Sequence, residues 1–166
     1  MRMGHGSHTS TIRMRRARSA DLNEIADLWS DCGLVPSARG LRNETGRMLI
    51  KSPELFLVAS ETATGGQIIC ALLGCYDGRT ATVSRLATHP DHRRGGVASS
   101  LVAEFTGALA AQGAIEPLVL VLDSNPAADR FWTTIDYDHA QDIRAYRHSA
   151  ARAAERRAAD GDGYQA

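Results

Sequence analysis

The stretch RLATHPDHRRGGVASSLVAEF, residues Arg85 to Phe105, carries two different patterns on either side of a break. Beyond the break, Val97, Leu101, Phe105 and Leu109 recur every four positions, with Ala98, Val102 and Ala108 widening the stripe, so an amphipathic helix is predicted. Ahead of it, RTATVSRLAT reads as a strand entered through the Asp77–Gly78 turn. Gly95, Gly96 and Ala98 leave the backbone accessible where strand gives way to helix. The first helical amides then face outward with the positive end of the dipole, and Arg93 and Arg94 add charge. A pyrophosphate suits this junction. A tight turn with its arginines in water is the bland alternative, and the order of the neighbouring elements weighs against it.

Working backward from the junction, GQIICALLGCY and ELFLVAS are two apolar strand candidates, and with RTATVSRLAT they form an antiparallel meander. TIRMRRAR reads as an edge strand. Ser19 or Asp21 is placed to cap a helix whose apolar face is Leu22, Ile25, Ala26 and Trp29, and a shorter helix is expected across Asn43 to Lys51. Working forward, Gly113 ends the long helix and LVLVLD is a central-strand candidate. NPAADRFW opens another helix with Asn125 at the cap and Pro126 in its first turn, and DYDHAQDIRAYRH supplies one or two closing strands. The segment lacks both the G-x-G-x-x-G fingerprint of dinucleotide folds and the G-x-x-x-x-G-K-[ST] loop of nucleotide hydrolases.

The chain has 166 residues, enough for one α/β domain and too few for two ordinary ones. Nineteen Lys and Arg balance nineteen Asp and Glu, which argues against a strongly basic nucleic-acid module. The basic RMRRAR run has no interleaved aromatics, and its arginines are read as exposed strand residues. Cys32, Cys70 and Cys75 form no disulfide framework and point to a reducing, cytoplasmic setting. No apolar run is long enough to span a bilayer. Residues 1–10 are expected to be a flexible head and residues 148–166 a polar tail, helical or disordered, leaving 11–147 as the domain.

Taken together, RRGGVA at Arg93 to Ala98, RLATHPDHR before it and NPAADRFWTTIDY after it resemble the GNAT superfamily of acyl-CoA-dependent N-acetyltransferases. Gly96 and Ala98 fall on the two small-residue positions of that family's [RQ]-x-x-G-x-[GA] pyrophosphate motif. PELFLVA, GCYDG and HPDHR are similar to a bacterial subgroup of small single-domain members, and the likeness covers roughly Thr11 to Arg147. The resemblance implies a GNAT-like α/β fold: a mixed, mostly antiparallel sheet of six or seven strands flanked by about four helices, in the order β-α-α-β-β-β-α-β-α-β-β. It implies acetyl-CoA as co-substrate in a gap between two parallel strands, its pantetheine on backbone at Leu86, Ala87 and Thr88. Its phosphates would lie at Arg93, Arg94, Gly95, Gly96, Val97 and Ala98, and the resemblance adds Asn125 to the cofactor-binding set.

The implied activity is acetyl transfer to a primary amine of a small molecule or protein by direct attack in a ternary complex. The other function carried is a catalytically weak acyl-CoA-binding regulatory or interaction module. Two departures from the family give it weight: Trp132 stands where many members place a proton-donating tyrosine, and TATVSRLAT has no carboxylate to act as base. Asp136 also replaces a usual glycine before Tyr137. Asp77, Glu44 and Tyr137 are the candidate proton partners, and the catalytic side chain stays unassigned. Asp31, Arg39, Arg42 and Glu44 are candidates for recognising charge on an acceptor. His89 and His92 have H-x-x-H spacing with no completing ligands, so no metal is expected. The remaining expectations are an amine-bearing acceptor, no nucleic acid or membrane partner, and a monomer or homodimer.

Overall fold

A computed structural model of the chain describes residues 11–34, 38–62, 65–114, 116–121 and 124–144. The expected head at 1–10 and tail at 148–166 lie outside these residues. The described chain divides into two compact units, one ending at Asn125 and the other beginning at Pro126.

The first unit is built on a five-stranded sheet in the spatial order β1-β2-β3-β4-β5, the same as the chain order. Its strands are β1 (Ile12–Arg16), β2 (Phe56–Glu61), β3 (Gln67–Tyr76), β4 (Ala81–Thr88) and β5 (Pro117–Val119). The first four pair antiparallel, and β5 runs parallel to β4. Helices α1 (Leu22–Asp31) and α2 (Ala38–Lys51) precede the meander, and α3 (Val97–Ala110) joins β4 to β5. A parallel neighbour requires such a crossover.

Alternation along the strands divides the core between the two faces of the sheet. Ile25, Ala26, Leu28 and Trp29 of α1 and Leu41 of α2 pack with Phe56, Val58, Ala71, Leu73 and Ala87 on one face. Trp29 and Phe56 stack there with ring centroids 5.8 Å apart, and the indole N–H donates to the Ala71 carbonyl. The predicted stripe of α3 is buried as expected: Val97, Leu101, Phe105 and Leu109 are each at most 4% exposed. Helix α3 lies on the other face, with Phe105 directly against Gly74 of β3.

Several boundaries differ from expectation. Helix α2 begins at Ala38 instead of Asn43, because Leu41, in its first turn, is already needed by the core. Neither Ser19 nor Asp21 caps α1 with its side chain; Asp21 instead accepts from the Arg18 amide at 2.7 Å and from Arg15 at 2.6 and 2.9 Å. LVLVLD is expected as a central strand, yet among its described residues the pairing stops at Val119; Pro117–Val119 is half-buried throughout, and Leu120 is 78% exposed. Among the described residues the sheet has five strands, not six or seven, and the closing strands expected after α4 (Pro126–Thr134) are absent through Arg144; the rest of that run lies outside the described residues. The run from Asp136 to Asp142 offers no apolar alternation to bury, and Ile143 is 48% exposed. Among the described residues no helix is long and apolar enough to cross a membrane.

In the second unit, Trp132 of α4 is buried, and its ring lies 5.1 Å from that of Phe131 and 4.8 Å from that of Tyr137, centroid to centroid. Tyr137 folds back so that its amide donates to the Trp132 carbonyl. That turn holds Asp136 at φ 65°, a left-handed backbone.

Candidate functional site

The site starts where two strands part. β4 pairs with β5 through Ala81↔Pro117, Thr82↔Leu118 and Val83↔Val119, and among the described residues the pairing ends there. β4 itself continues through Ser84, Arg85, Leu86, Ala87 and Thr88, held on its other side by β3. The β3–β4 register shifts between Leu73 and Gly74, so that Leu73 faces Arg85 while Gly74 faces Val83. Ser84 is the extra residue, a bulge that bends the strand where the two partners separate.

The direction of the backbone groups on this free length follows from one hydrogen bond. The His89 amide donates to the Ile69 carbonyl on β3 at 2.8 Å. Successive strand residues present their amide and carbonyl to opposite edges. Ala87 therefore points at β3, and Leu86 and Thr88 point to the edge that β5 has left. The partners of the Thr88 carbonyl agree with this, since it accepts from Arg93 Nε at 3.1 Å and from the Cys32 thiol at 3.6 Å.

Beyond Thr88 a single turn at Pro90–His92, held by the His92 amide on the His89 carbonyl, leads into the glycines. Arg94 at φ 66° and Gly96 at φ 77° are both left-handed, and Gly96 is the N-cap of α3. Glycine has no side chain with which to cap, and the first intrahelical bond runs from the Ser100 amide to the Gly96 carbonyl. The amides of Val97, Ala98 and Ser99 therefore lack an intrahelical acceptor, as at any helix start. Arg93, Arg94, Gly95 and Gly96 are exposed, so these donors and the helix dipole face solvent. This is an anion-binding geometry.

The structure thus brings Leu86, Ala87, Thr88, Arg93, Arg94, Gly95, Gly96, Val97 and Ala98 into one continuous path from open strand edge to helix N-terminus. Arg93 is turned back along that path, with Nη2 3.7 Å from Cys32 Sγ besides its bond to Thr88. Asn125 ends the first unit just ahead of α4. His89 is a turn residue whose Nδ1 accepts from the Asp91 amide, and His92 lies 3.8 Å from Glu61. Among the described residues no three His, Cys, Asp or Glu gather as a metal site.

Of the candidate proton partners, Asp77 closes its own hairpin by accepting from the Arg79 and Thr80 amides, which holds its carboxyl below the usual range. The Tyr137 hydroxyl is buried with no hydrogen-bond partner, and burial pushes its pKa up. Glu44 has a strong partner that sequence reasoning missed. Arg85 of β4 grips it with Nη1–Oε1 at 2.8 Å and Nη2–Oε2 at 3.3 Å, and the same guanidinium lies 5.6 Å above the Trp29 ring. No local signal joins residues 44 and 85; only the packing of α2 on the sheet does. Burial pushes the Cys70 thiol up to about 11, partly offset by its contact with the Thr88 hydroxyl.

Comparison with known proteins places this geometry among relatives. A family model described as an acetyltransferase (GNAT) domain matches residues 52–139, from the approach to β2 to beyond α4. An acetyltransferase from Yersinia enterocolitica is 30% identical over 127 residues, covering 76% of this chain and 88% of that protein. One from Sodalis glossinidius is 28% identical over 76% of this chain and 87% of its own length. Among solved structures, the aminoglycoside N-acetyltransferase AAC(6')-Iy, in complex with CoA, superposes with a TM-score of 0.70 at 14% identity, over 86% of this chain and 97% of its own. Ard1 from Thermoplasma volcanium gives a TM-score of 0.67 at 20% identity, over 81% of this chain and 84% of that one.

Proposed function

The chain belongs to the acetyltransferase (GNAT) family, and on that premise we propose that it moves the acetyl group of acetyl-CoA to a primary amine by direct attack. The observation that carries this is the length of β4 from Leu86 to Thr88, paired to β3 on one edge and left open by β5 on the other, leading straight into the amide-rich turn at Arg93–Ala98. The pantetheine amides pair along that edge like an added strand. The pyrophosphate takes the amides of Val97, Ala98 and Ser99, with Arg94 and a re-aimed Arg93 supplying charge.

The thioester then lies toward the bulge, where the strands part. The amine nitrogen attacks the thioester carbonyl carbon, the new C–N bond forms, the C–S bond breaks, and CoA leaves as thiolate. An open-edge amide such as that of Leu86 stabilises the oxyanion. The proton lost from nitrogen passes to water. A thiolate leaves readily near neutral pH, so Trp132 in place of a phenol slows the reaction without blocking it. No cysteine takes part as nucleophile, since none has a His and acid beside it that would activate it.

Residues 11–147 are taken as the domain that does this, in a bacterial cytoplasm, where three free thiols persist. The experiment is rapid quench with labelled acetyl-CoA and an amine panel. Acetylated amine formed only when both substrates are present supports direct transfer, and a kinetically competent acetyl group on Cys32, Cys70 or Cys75 overturns it. Acetyl-CoA binding with no turnover of any amine favours the acyl-CoA-binding module.

A further inference from the structure

Arg85 occupies the β4 position just beyond the bulge, on the sheet face that α1 and α2 cover. Its side chain is only 20% exposed, and its charge is met from two sides, by the face of Trp29 and by both oxygens of Glu44. Taking a guanidinium that far out of water is unfavourable, and an ion pair seldom offsets that cost with net stability. The pair therefore adds little net folding stability.

The asymmetry of exposure shows what a visitor would meet. Glu44 is 46% exposed, more than twice its partner. A carboxylate has about four lone-pair sites, and Arg85 takes two. The guanidinium is covered, whereas the carboxylate is fixed in place, open to solvent and unsaturated. Two neighbouring carboxylates are already committed: Glu24 accepts from the Ile68 amide at 2.6 Å, and Asp21 accepts from Arg15 and the Arg18 amide.

We infer that Glu44, held by Arg85, is the docking carboxylate for a positively charged acceptor, which binds through an ammonium other than the one that is acetylated. The substrate class is a diamine or polyamine, or a molecule presenting two amines. The inference rests on the acetyl-transfer reading above, because that reading puts the thioester beside Arg85 at the parting of β4 and β5. Glu44 binds, Arg85 is a positioning residue, and neither is needed to hold acetyl-CoA.

The test compares putrescine, cadaverine and spermidine with amino alcohols of the same chain length, which keep one amine and lose the second charge. Wild-type protein is expected to favour cadaverine over its amino alcohol by about tenfold or more in kcat/KM, which is the reach of one well-placed ion pair. Glu44→Gln should bring that ratio close to unity by raising KM for cadaverine, with acetyl-CoA affinity by calorimetry unaltered. Arg85→Gln, which releases the carboxylate, should lower the ratio several-fold. A merely structural pair would not move a ratio between two acceptors. A ratio near unity in the wild type overturns the inference, as does a preference that survives Glu44→Gln. So does acetylation of the amino alcohols with no diamine or polyamine acetylated. Failure of the wild type to bind acetyl-CoA, or to acetylate any amine of the panel, overturns the parent reading instead, so the two failures are distinct. The wild-type ratio alone decides the matter if Glu44→Gln does not fold.

Discussion

The ring of Phe105 on α3 lies directly against the backbone of Gly74 on β3, so close that a Cβ at Gly74 would overlap Cε2 and stand 2.6 Å from Cζ. Gly74 is also where the β3–β4 register shifts. The contact thus ties α3, whose first turn makes the anion site, to the point at which β4 bends away from β5. Replacing Gly74 with alanine must move the helix or the ring. Gly74→Ala is expected to cost about 1–3 kcal/mol, the usual range for overpacking, and to weaken acetyl-CoA binding as α3 shifts. Urea unfolding and calorimetry read the two effects, and an unchanged midpoint would contradict the packing described.

At the N-terminus of α3, Gly96 has φ 77°, and no atom lies within 4 Å of where a Cβ would stand, so strain at this position comes from the backbone alone. A β-branched residue resists that conformation. Gly96→Val should re-aim the Val97 and Ala98 amides and reduce acetyl-CoA affinity about tenfold or more, whereas Arg13→Ala on β1 should leave it unchanged. Calorimetry on the two folded variants decides between this location and another.

Asp21 carries a pH dependence with a definite sign. Burial pushes its carboxyl up, but the hydrogen bonds from Arg15 and the Arg18 amide outweigh it and the net shift is downward. A carboxyl with a lowered pKa in the folded state contributes stability above its unfolded value, about 3.9, and loses it as pH falls through the lower folded value. Asp21→Asn should therefore be less stable than wild type at neutral pH, by about 2 kcal/mol, with the gap closing in strongly acid solution. Denaturant midpoints across that range test the sign.

Thiol chemistry separates the cysteines. Cys70 is fully buried with its pKa pushed up to about 11, so almost no thiolate exists near neutral pH. Cys32 and Cys75 are half-buried. Iodoacetamide is expected to label these two in the native protein and Cys70 only after unfolding, as read by peptide mass mapping.

Asp136 holds φ 65° on an exposed turn after α4. Aspartate tolerates the left-handed region better than most residues, yet it is still disfavoured there by about 1 kcal/mol relative to glycine. Asp136→Gly should raise the melting temperature modestly, and a fall would show that the carboxylate makes a contact worth more than the strain.

Much of this protein was legible in its sequence because the signals are local. The four-residue recurrence of Val97, Leu101, Phe105 and Leu109 identified α3, the Asp77–Gly78 pair identified the hairpin, and the small residues at Gly95, Gly96 and Ala98 marked the junction between strand and helix. Each pattern is read within a few residues, since helix period, turn chemistry and backbone access are properties of short segments. What depends on segments far apart was decided only by the tertiary structure. The early start of α2 follows from Leu41 reaching a core made by β2 and β3. The apolar run at LVLVLD has a strand's composition, but among the described residues the pairing stops at Val119, because β4 bends away at Ser84 and takes the hydrogen-bonding edge with it. The Glu44–Arg85 pair lies 41 residues apart in the chain and has no motif. Its geometry exists only once a helix has packed on a sheet, since a charge finds its partner through space and not along the backbone.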